Sequence, residues 1–265
     1  MPGLKTICLK GWRLVKKSVL FSGIIVGSLA DSVFRAGLPS KHPAYRKRAE
    51  WLAKWSRRTL KVLDITVQAE GQPPAAGLLA SNHMGYLDIL VLATNALIVN
   101  VAKAEVKQWP IFGWLVAAAG TLFLRRERRS DVKLMASQFL PVLSDGCVIS
   151  FFPEATSSNG RQILPFHSGL FAVLENTSWP ATGAWIQYQM DEGSVEDDVC
   201  YWGDMTFFPH FLKLMTRTNI RAKIVYTDPV KGLGRKETAS QLHDRIIALA
   251  AQRGVTLEPG HRPSQ

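Results

Sequence analysis

His83 and Asp88, in the run Asn82-His83-Met84-Gly85-Tyr86-Leu87-Asp88, are the residues of this sequence whose types and spacing best suit proton transfer. An imidazole oriented by a carboxylate keeps its other nitrogen available as a general base. On a continuous helix the two would not meet, since five residues turn through about 500° at roughly 100° each. With His83 in the turn and Asp88 one turn inside the helix that follows, the carboxylate can fold back to the ring. A capping turn with an incidental histidine accounts for the same residues.

Two further runs could bind a polar or anionic group. Phe151-Phe152-Pro153-Glu154-Ala155-Thr156-Ser157-Ser158-Asn159-Gly160 leaves a β-rich run through a proline into a loop of hydroxyls and backbone donors. Gly120-Thr121-Leu122-Phe123-Leu124-Arg125-Arg126 ends a strand on two guanidinium groups, which grip phosphate bidentately. Taken singly, the first is equally a surface turn and the second a solvated strand end. The sequence contains no G-x-S-x-G elbow, no P-loop, no H-E-x-x-H and no G-x-G-x-x-G. Cys8, Cys147 and Cys200 are far apart and the remaining histidines lack ligand spacing, so no metal or disulfide is expected. Cys147 falls in an apolar strand and reads as core.

The elements that must carry these groups alternate between short apolar runs and helical stretches after Leu63, the texture of an α/β domain. Strands are expected at Asp64–Ala69, Gly77–Ser81, Ile98–Lys103, Thr121–Arg125, Cys147–Phe152, Ala181–Gln187 and Ala222–Tyr226. Helices are expected at Tyr86–Asn95, Trp109–Ala118, Arg129–Leu143 and Thr238–Gln252. The uncharged run Trp109–Leu124 reads as a buried helix feeding a core strand, with the wall of an acyl-chain channel, which needs the same apolar lining, as an alternative. Asp191–Asp204 holds six acids and no base, in an expected loop-and-strand insertion.

The chain has 265 residues, 47% of them hydrophobic, and a net charge of +11 that calls for an anionic partner: nucleic acid, membrane surface or phosphorylated substrate. Eight basic residues lie between Lys41 and Lys61, interleaved with the helical stripe Tyr45, Ala49, Leu52 and Trp55. That pattern fits a helix in a membrane interface and equally a packed surface helix. Ser18–Ala30 is uncharged but shorter than the ~20 residues of a bilayer span. Basic flanks on both sides keep it on the cytoplasmic side. The expected organisation is a membrane-associated helix pair over 1–62, an α/β domain over 63–255 and a frayed tail over 256–265. A monotopic protein on the cytoplasmic leaflet is expected, with a tilted single span as the alternative.

The three runs, in this order, resemble the lysophospholipid acyltransferase family of 1-acylglycerol-3-phosphate acyltransferases. Its N-H-x-x-x-x-D block matches Asn82, His83 and Asp88, and its G-x-x-F-[IL]-x-R block matches Gly120, Phe123, Leu124 and Arg126. A lead-in to the latter matches Lys103, Glu105, Pro110 and Gly113. F-P-E-G-T-R-S matches Phe152, Pro153, Glu154, Thr156 and Ser158, and a strand entered through proline matches Trp179-Pro180-Ala181-Thr182. The resemblance implies a glycerolipid-acyltransferase-like mixed β-sheet flanked by helices, behind an N-terminal membrane-associated two-helix motif. It implies His83 as base and Asp88 as its orienting partner. Asn82, Gly120, Phe123, Arg125, Arg126, Glu154, Ala155, Thr156, Ser157 and Ser158 would bind substrate. The acyl donor would be a thioester of coenzyme A or acyl carrier protein, with no other cofactor, and a membrane lipid would be the partner. Ala155 and Ser157 depart from the family's glycine and arginine. The acceptor expected first is lysophosphatidic acid; the loop Thr156–Gly160 also looks like members that acylate lyso-ornithine lipid. A non-catalytic lipid-binding protein is the reading from another class. Nucleic-acid binding would leave the blocks unexplained.

Overall fold

The computed structural model describes residues 4–36, 44–124 and 129–260. Helices α1 (Leu4–Ala36) and α2 (Tyr45–Leu63) lead the chain. Seven strands follow: β1 (Ile65–Glu70), β2 (Gly77–Ser81), β3 (Ile98–Lys103), β4 (Leu122–Leu124), β5 (Val148–Phe151), β6 (Ala181–Gln189) and β7 (Ile220–Tyr226). Between and after them run α3 (Leu87–Ala93), α4 (Phe112–Ala118), α5 (Arg129–Ser144), α6 (Val195–Asp198), α7 (Phe207–Met215) and α8 (Arg235–Ala251).

The strands make one sheet in the order β1-β7-β6-β2-β5-β3-β4. Every neighbouring pair is parallel except β6 and β7, so the sheet is mixed and covered by helices, as the family resemblance implies. All residues of β2 and β5 are buried, which is why both read as unbroken apolar runs rather than alternating ones. Gly77 is required at the start of β2: its φ is +88°, and a Cβ there would lie 2.1 Å from the Pro180 carbonyl that Leu78 N–H bonds.

Several expected boundaries move. The strand expected at Thr121–Arg125 is confined to Leu122–Leu124, and Arg125 and Arg126 lie outside the described residues. Trp109–Ala118 is not one buried helix. A 3₁₀ turn at Ala104–Gln108 precedes a seven-residue α4 in which only Gly113 is buried and Trp114 is exposed. The 191–204 insertion contains the short helix α6 instead of a strand. From residue 256 to 260 the chain is held rather than frayed: Glu258 N–H donates to the Arg161 carbonyl at 2.8 Å.

The two leading helices differ in what their apolar faces meet. In α2 the stripe Ala49, Leu52 and Trp55 is buried against the domain, so this face does not meet lipid as an interfacial helix's would. In α1, Trp12, Val19, Val26, Val33 and Phe34 are exposed, and Cys8–Phe34 alone among the described helices is long and apolar enough to cross a membrane. Yet α1 lies along the domain. Lys17 is buried, with its ammonium donating to the carbonyls of Leu63 (2.8 Å) and Arg217. Phe21 packs on Phe211 of α7 with ring centres 4.8 Å apart. Asp31 accepts from Lys54 and from Trp55 Nε1, each at 2.9 Å.

Gly27 sits where the Trp55 ring crosses α1, and a Cβ built there would be 2.8 Å from that ring. Gly27→Val should therefore lever α1 off α2, at the roughly 1–3 kcal/mol typical of overpacking. Tryptophan emission and denaturation in detergent are the measurements. Emission and stability equal to those of the unaltered protein would contradict this account of the contact.

Candidate active site

β2 and β5 are parallel neighbours with Ala80 opposite Phe151, so the turns leaving their C-terminal ends share one rim of the sheet. Such rims are where α/β folds assemble reactive groups. The rim brings His83, in the turn after β2, against Phe152 and Glu154, just past β5.

Asp88, on the first turn of α3, is fully buried. Its Oδ2 accepts from His83 Nδ1 at 2.8 Å and from the backbone N–H groups of Met84 (2.6 Å) and Gly85 (2.9 Å). Its Oδ1 accepts from the Tyr188 hydroxyl at 2.8 Å. An oxygen pair receiving four donors is a carboxylate, so the proton on this contact is assigned to His83 Nδ1 and Nε2 is left to accept. The imidazole is stacked on Phe152, ring centres 3.8 Å apart and planes 12° from parallel.

The second loop grips the His83 backbone from both sides. Glu154 is buried, and its two oxygens accept from His83 N–H and Leu164 N–H, each at 2.7 Å. Burial pushes its carboxyl up to about 8, against the pull of those two amide bonds. Ser158 N–H donates to the His83 carbonyl at 2.8 Å, and its hydroxyl reaches the same carbonyl at 3.3 Å. Ala155 has φ +69°, the left-handed region.

A cavity of about 390 Å³ opens from His83. Ala155, Thr156 and Ser157 line one part of it, and Lys103 adds a cation. The rest is mostly apolar, walled by α1 (Phe21, Ile24), α2 (Trp51, Trp55), α4 (Phe112, Leu115) and α7 (Phe207, Phe211), with scattered hydroxyls such as Ser28 and Thr59. From the run 109–124, Trp109, Phe112, Leu115, Val116, Ala119 and Thr121 line this cavity. The acidic insertion closes one side of the cavity through Tyr201, whose N–H donates to the Met84 carbonyl and whose carbonyl accepts the Ser157 hydroxyl. Glu196 of the same insertion pairs with Arg161 at 2.6 Å and accepts from Asn159 at 3.2 Å.

The residues expected to touch substrate divide into groups. His83, Ala155, Thr156 and Ser157 line the cavity. Glu154 and Ser158 act on the His83 backbone instead. Asn82 is a strap: its carboxamide accepts from Ile186 N–H (2.7 Å) and donates to Ile186 C=O (3.0 Å), continuing the β2–β6 ladder with a side chain. Gly120 turns with φ +81° beside Arg48 and Tyr45 of α2, and Phe123 lies under the Lys107 ammonium; neither lines the cavity. Tyr188, Lys103 and Tyr201 were not among the expected site residues. Lys103 stood in the quoted lead-in run, whereas Tyr188, 100 residues from Asp88, carries no local signal.

The family model for acyltransferases matches residues 64–187, from the start of the sheet through both loops at the rim. A lyso-ornithine lipid O-acyltransferase from Pseudomonas aeruginosa is 29% identical over 242 residues, 88% of this chain and 92% of that protein. A 1-acyl-sn-glycerol-3-phosphate acyltransferase from Neisseria meningitidis is 35% identical over 161 residues, covering 59% of this chain and 62% of its own. The crystal structure of the 1-acyl-sn-glycerophosphate acyltransferase of Thermotoga maritima superposes with a TM-score of 0.66 over 98% of this chain and 100% of that one, at 18% identity, which speaks for the fold. Across the strands and loops that build the rim, residues 64–187 of this chain match the acyltransferase family model, and the Pseudomonas relative, named for acyl transfer to a lysolipid, aligns over the same region.

Proposed function

We propose that this chain transfers a fatty acyl group from an acyl thioester, of coenzyme A or of a carrier protein, to the free hydroxyl of a membrane lysolipid. The observation that carries the reading is the His83–Asp88 pair at the polar end of an apolar cavity. His83 Nε2 takes the proton of the acceptor hydroxyl as its oxygen attacks the thioester carbonyl carbon. The tetrahedral adduct collapses, the C–S bond breaks, and the imidazolium returns the proton to the leaving thiolate. Products are the diacyl lipid and the free thiol. Asp88 holds the ring and stabilises its transient charge. No acyl-enzyme is needed, in keeping with the two thiols near the sheet: burial pushes Cys147 up to about 11 and Cys200 further still.

The apolar reach of the cavity suits a fatty chain, and the exposed apolar residues of α1, α4 and α7 suit a lipid surface. These include Trp12 and Val19 of α1, Trp114 of α4 and Phe208 of α7. Contacts from Lys17 to Asp31 hold α1 along the domain over about 21 Å at 1.5 Å per residue. A helix so held lies in the membrane plane, which favours a monotopic protein over a single span. The basic flanks favour the cytoplasmic leaflet.

For the acceptor we favour lyso-ornithine lipid, the substrate named for the Pseudomonas relative. Ser157, where the family pattern has arginine, spends its hydroxyl on the Tyr201 carbonyl, and Arg161 is paired with Glu196. The described part of this loop thus turns no guanidinium into the cavity. Lysophosphatidic acid is the second reading, resting on Lys103 in the cavity wall and on Arg125 and Arg126.

Membranes carrying the protein, offered both acceptors with a labelled acyl donor, are expected to make labelled ornithine lipid. His83→Ala membranes should fall to background, a loss of at least about 10²-fold if the base is removed. Labelled phosphatidic acid alone would reverse the acceptor assignment, and full activity in His83→Ala would end the mechanism. Ala155 gives a separate test. An alanine at φ +69° is strained by about 1 kcal/mol relative to glycine. Ala155→Gly should therefore raise denaturant stability by about that amount without changing the product; a drop in stability would mean the strain is absent.

A further inference from the structure

We infer that Tyr188 is a positioning residue of the reaction, fixing the Asp88 carboxylate that in turn orients His83. This inference rests on the proposed role of His83 as base. Tyr188 stands on β6, one residue past the end of the family match, and is buried to 4% exposure. Among the described residues its hydroxyl is the partner shown for Asp88 Oδ1, whereas Oδ2 has three. Without Tyr188 the buried Oδ1 loses the donor shown for it, and the three donors on Oδ2 alone resist a swing of the group toward another partner for Oδ1. With it, both oxygens are satisfied where they stand and the orientation that meets His83 Nδ1 is reinforced.

The approach of Tyr188 follows from the sheet. β2 and β6 are parallel with Ser81 opposite Ala184, and the Asn82 carboxamide extends that ladder to Ile186. Tyr188 lies two residues beyond Ile186 and so projects from the same face of the strand. Asn82, which precedes the base, thereby sets the register at which the phenol reaches the orienting carboxylate. Burial and the neighbouring Asp88 charge raise the phenol well above its ordinary range, so the group remains a donor throughout the working range. The other titratable groups facing this pair are His83, Glu154 and Cys200 on the carboxylate side and Tyr86 and Cys200 on the phenol side. Burial raises Glu154, Tyr86 and Cys200, so none of these brings a competing positive charge.

Tyr188→Phe retains the buried ring and removes one hydrogen bond to a charged group. In lipid vesicles kcat should fall roughly tenfold or more, with KM within about twofold. The acid limb of the kcat profile should move to higher pH, because Asp88, with one donor fewer, favours the protonated ring. On an Asp88→Ala background the same change should cost nothing further, since a residue acting through Asp88 has nothing left to hold. Multiplicative losses in the double variant, a raised KM, or unaltered kcat in Tyr188→Phe would each overturn the inference. If the variant fails to fold, the unaltered protein still decides. Its Tyr188 hydroxyl proton should resonate downfield and slow to exchange, and move upfield in Asp88→Asn; an ordinary, fast-exchanging hydroxyl would overturn it. His83→Ala runs alongside. Inactive His83→Ala with unimpaired Tyr188→Phe removes only the role of Tyr188, whereas active His83→Ala removes the base itself.

Discussion

A carboxylate sealed from solvent is the constraint around which this rim is built. Taking the Asp88 charge out of water costs several kcal/mol unless hydrogen bonds replace its hydration. The structure supplies four, from a ring, two backbone amides and a phenol. Two of those donors require the chain at Met84 and Gly85 to turn back over the start of α3, which is what brings His83 within reach. The same solvation that makes the charge tolerable thus creates the geometry of the proposed base. Gly85 takes part in the fit: a Cβ on it would be 3.0 Å from Tyr201.

The second loop answers a different requirement, that His83 hold still. Glu154 fixes its N–H and Ser158 its carbonyl, while Phe152 flanks the ring. Glu154 sits near Asp88, and burial works against its ionised form. At neutrality the rim therefore avoids a second full buried charge beside the first. Two like charges in so small a dry space would repel strongly and disturb the ring between them. The acidic insertion then bolts this loop to the first, since Tyr201 bonds Met84 and Ser157 at once.

What was legible in the sequence follows from range. The strands of the sheet, the turn–helix arrangement of His83 and Asp88, and the loop after β5 all have local signatures in hydrophobic period, proline and spacing. The partner of the α2 stripe was not legible because an apolar stripe with aromatic residues looks the same whether it meets lipid or a domain; Leu52 and Trp55 pack into the core here. Helix α7 went unseen because Phe207–Met215 follows an irregular acidic stretch and carries a proline, Pro209, in its first turn. Tyr188 and Lys17 were illegible for a stricter reason. Their bonds reach across 100, 46 and 200 positions, and only the folded sheet brings the partners together.

The elements that wall the cavity are also the ones that expose apolar surface. Helix α1 presents Phe21 and Ile24 inward and Val19 and Val26 outward; α4 turns Phe112 and Leu115 in and Trp114 out; α7 turns Phe207 in and Phe208 out. A fatty chain moving from a lipid surface to the cavity would exchange one apolar environment for another without crossing water. Such a transfer releases little hydrophobic free energy, since no apolar area is newly removed from water. Discrimination among lysolipids must then arise mainly at the polar end, where Lys103, Thr156 and Ser157 meet the head group in the proposed reaction. In the proposed reaction, an exchange such as arginine for Ser157 would therefore bear on the acceptor head group more directly than a change along the apolar walls.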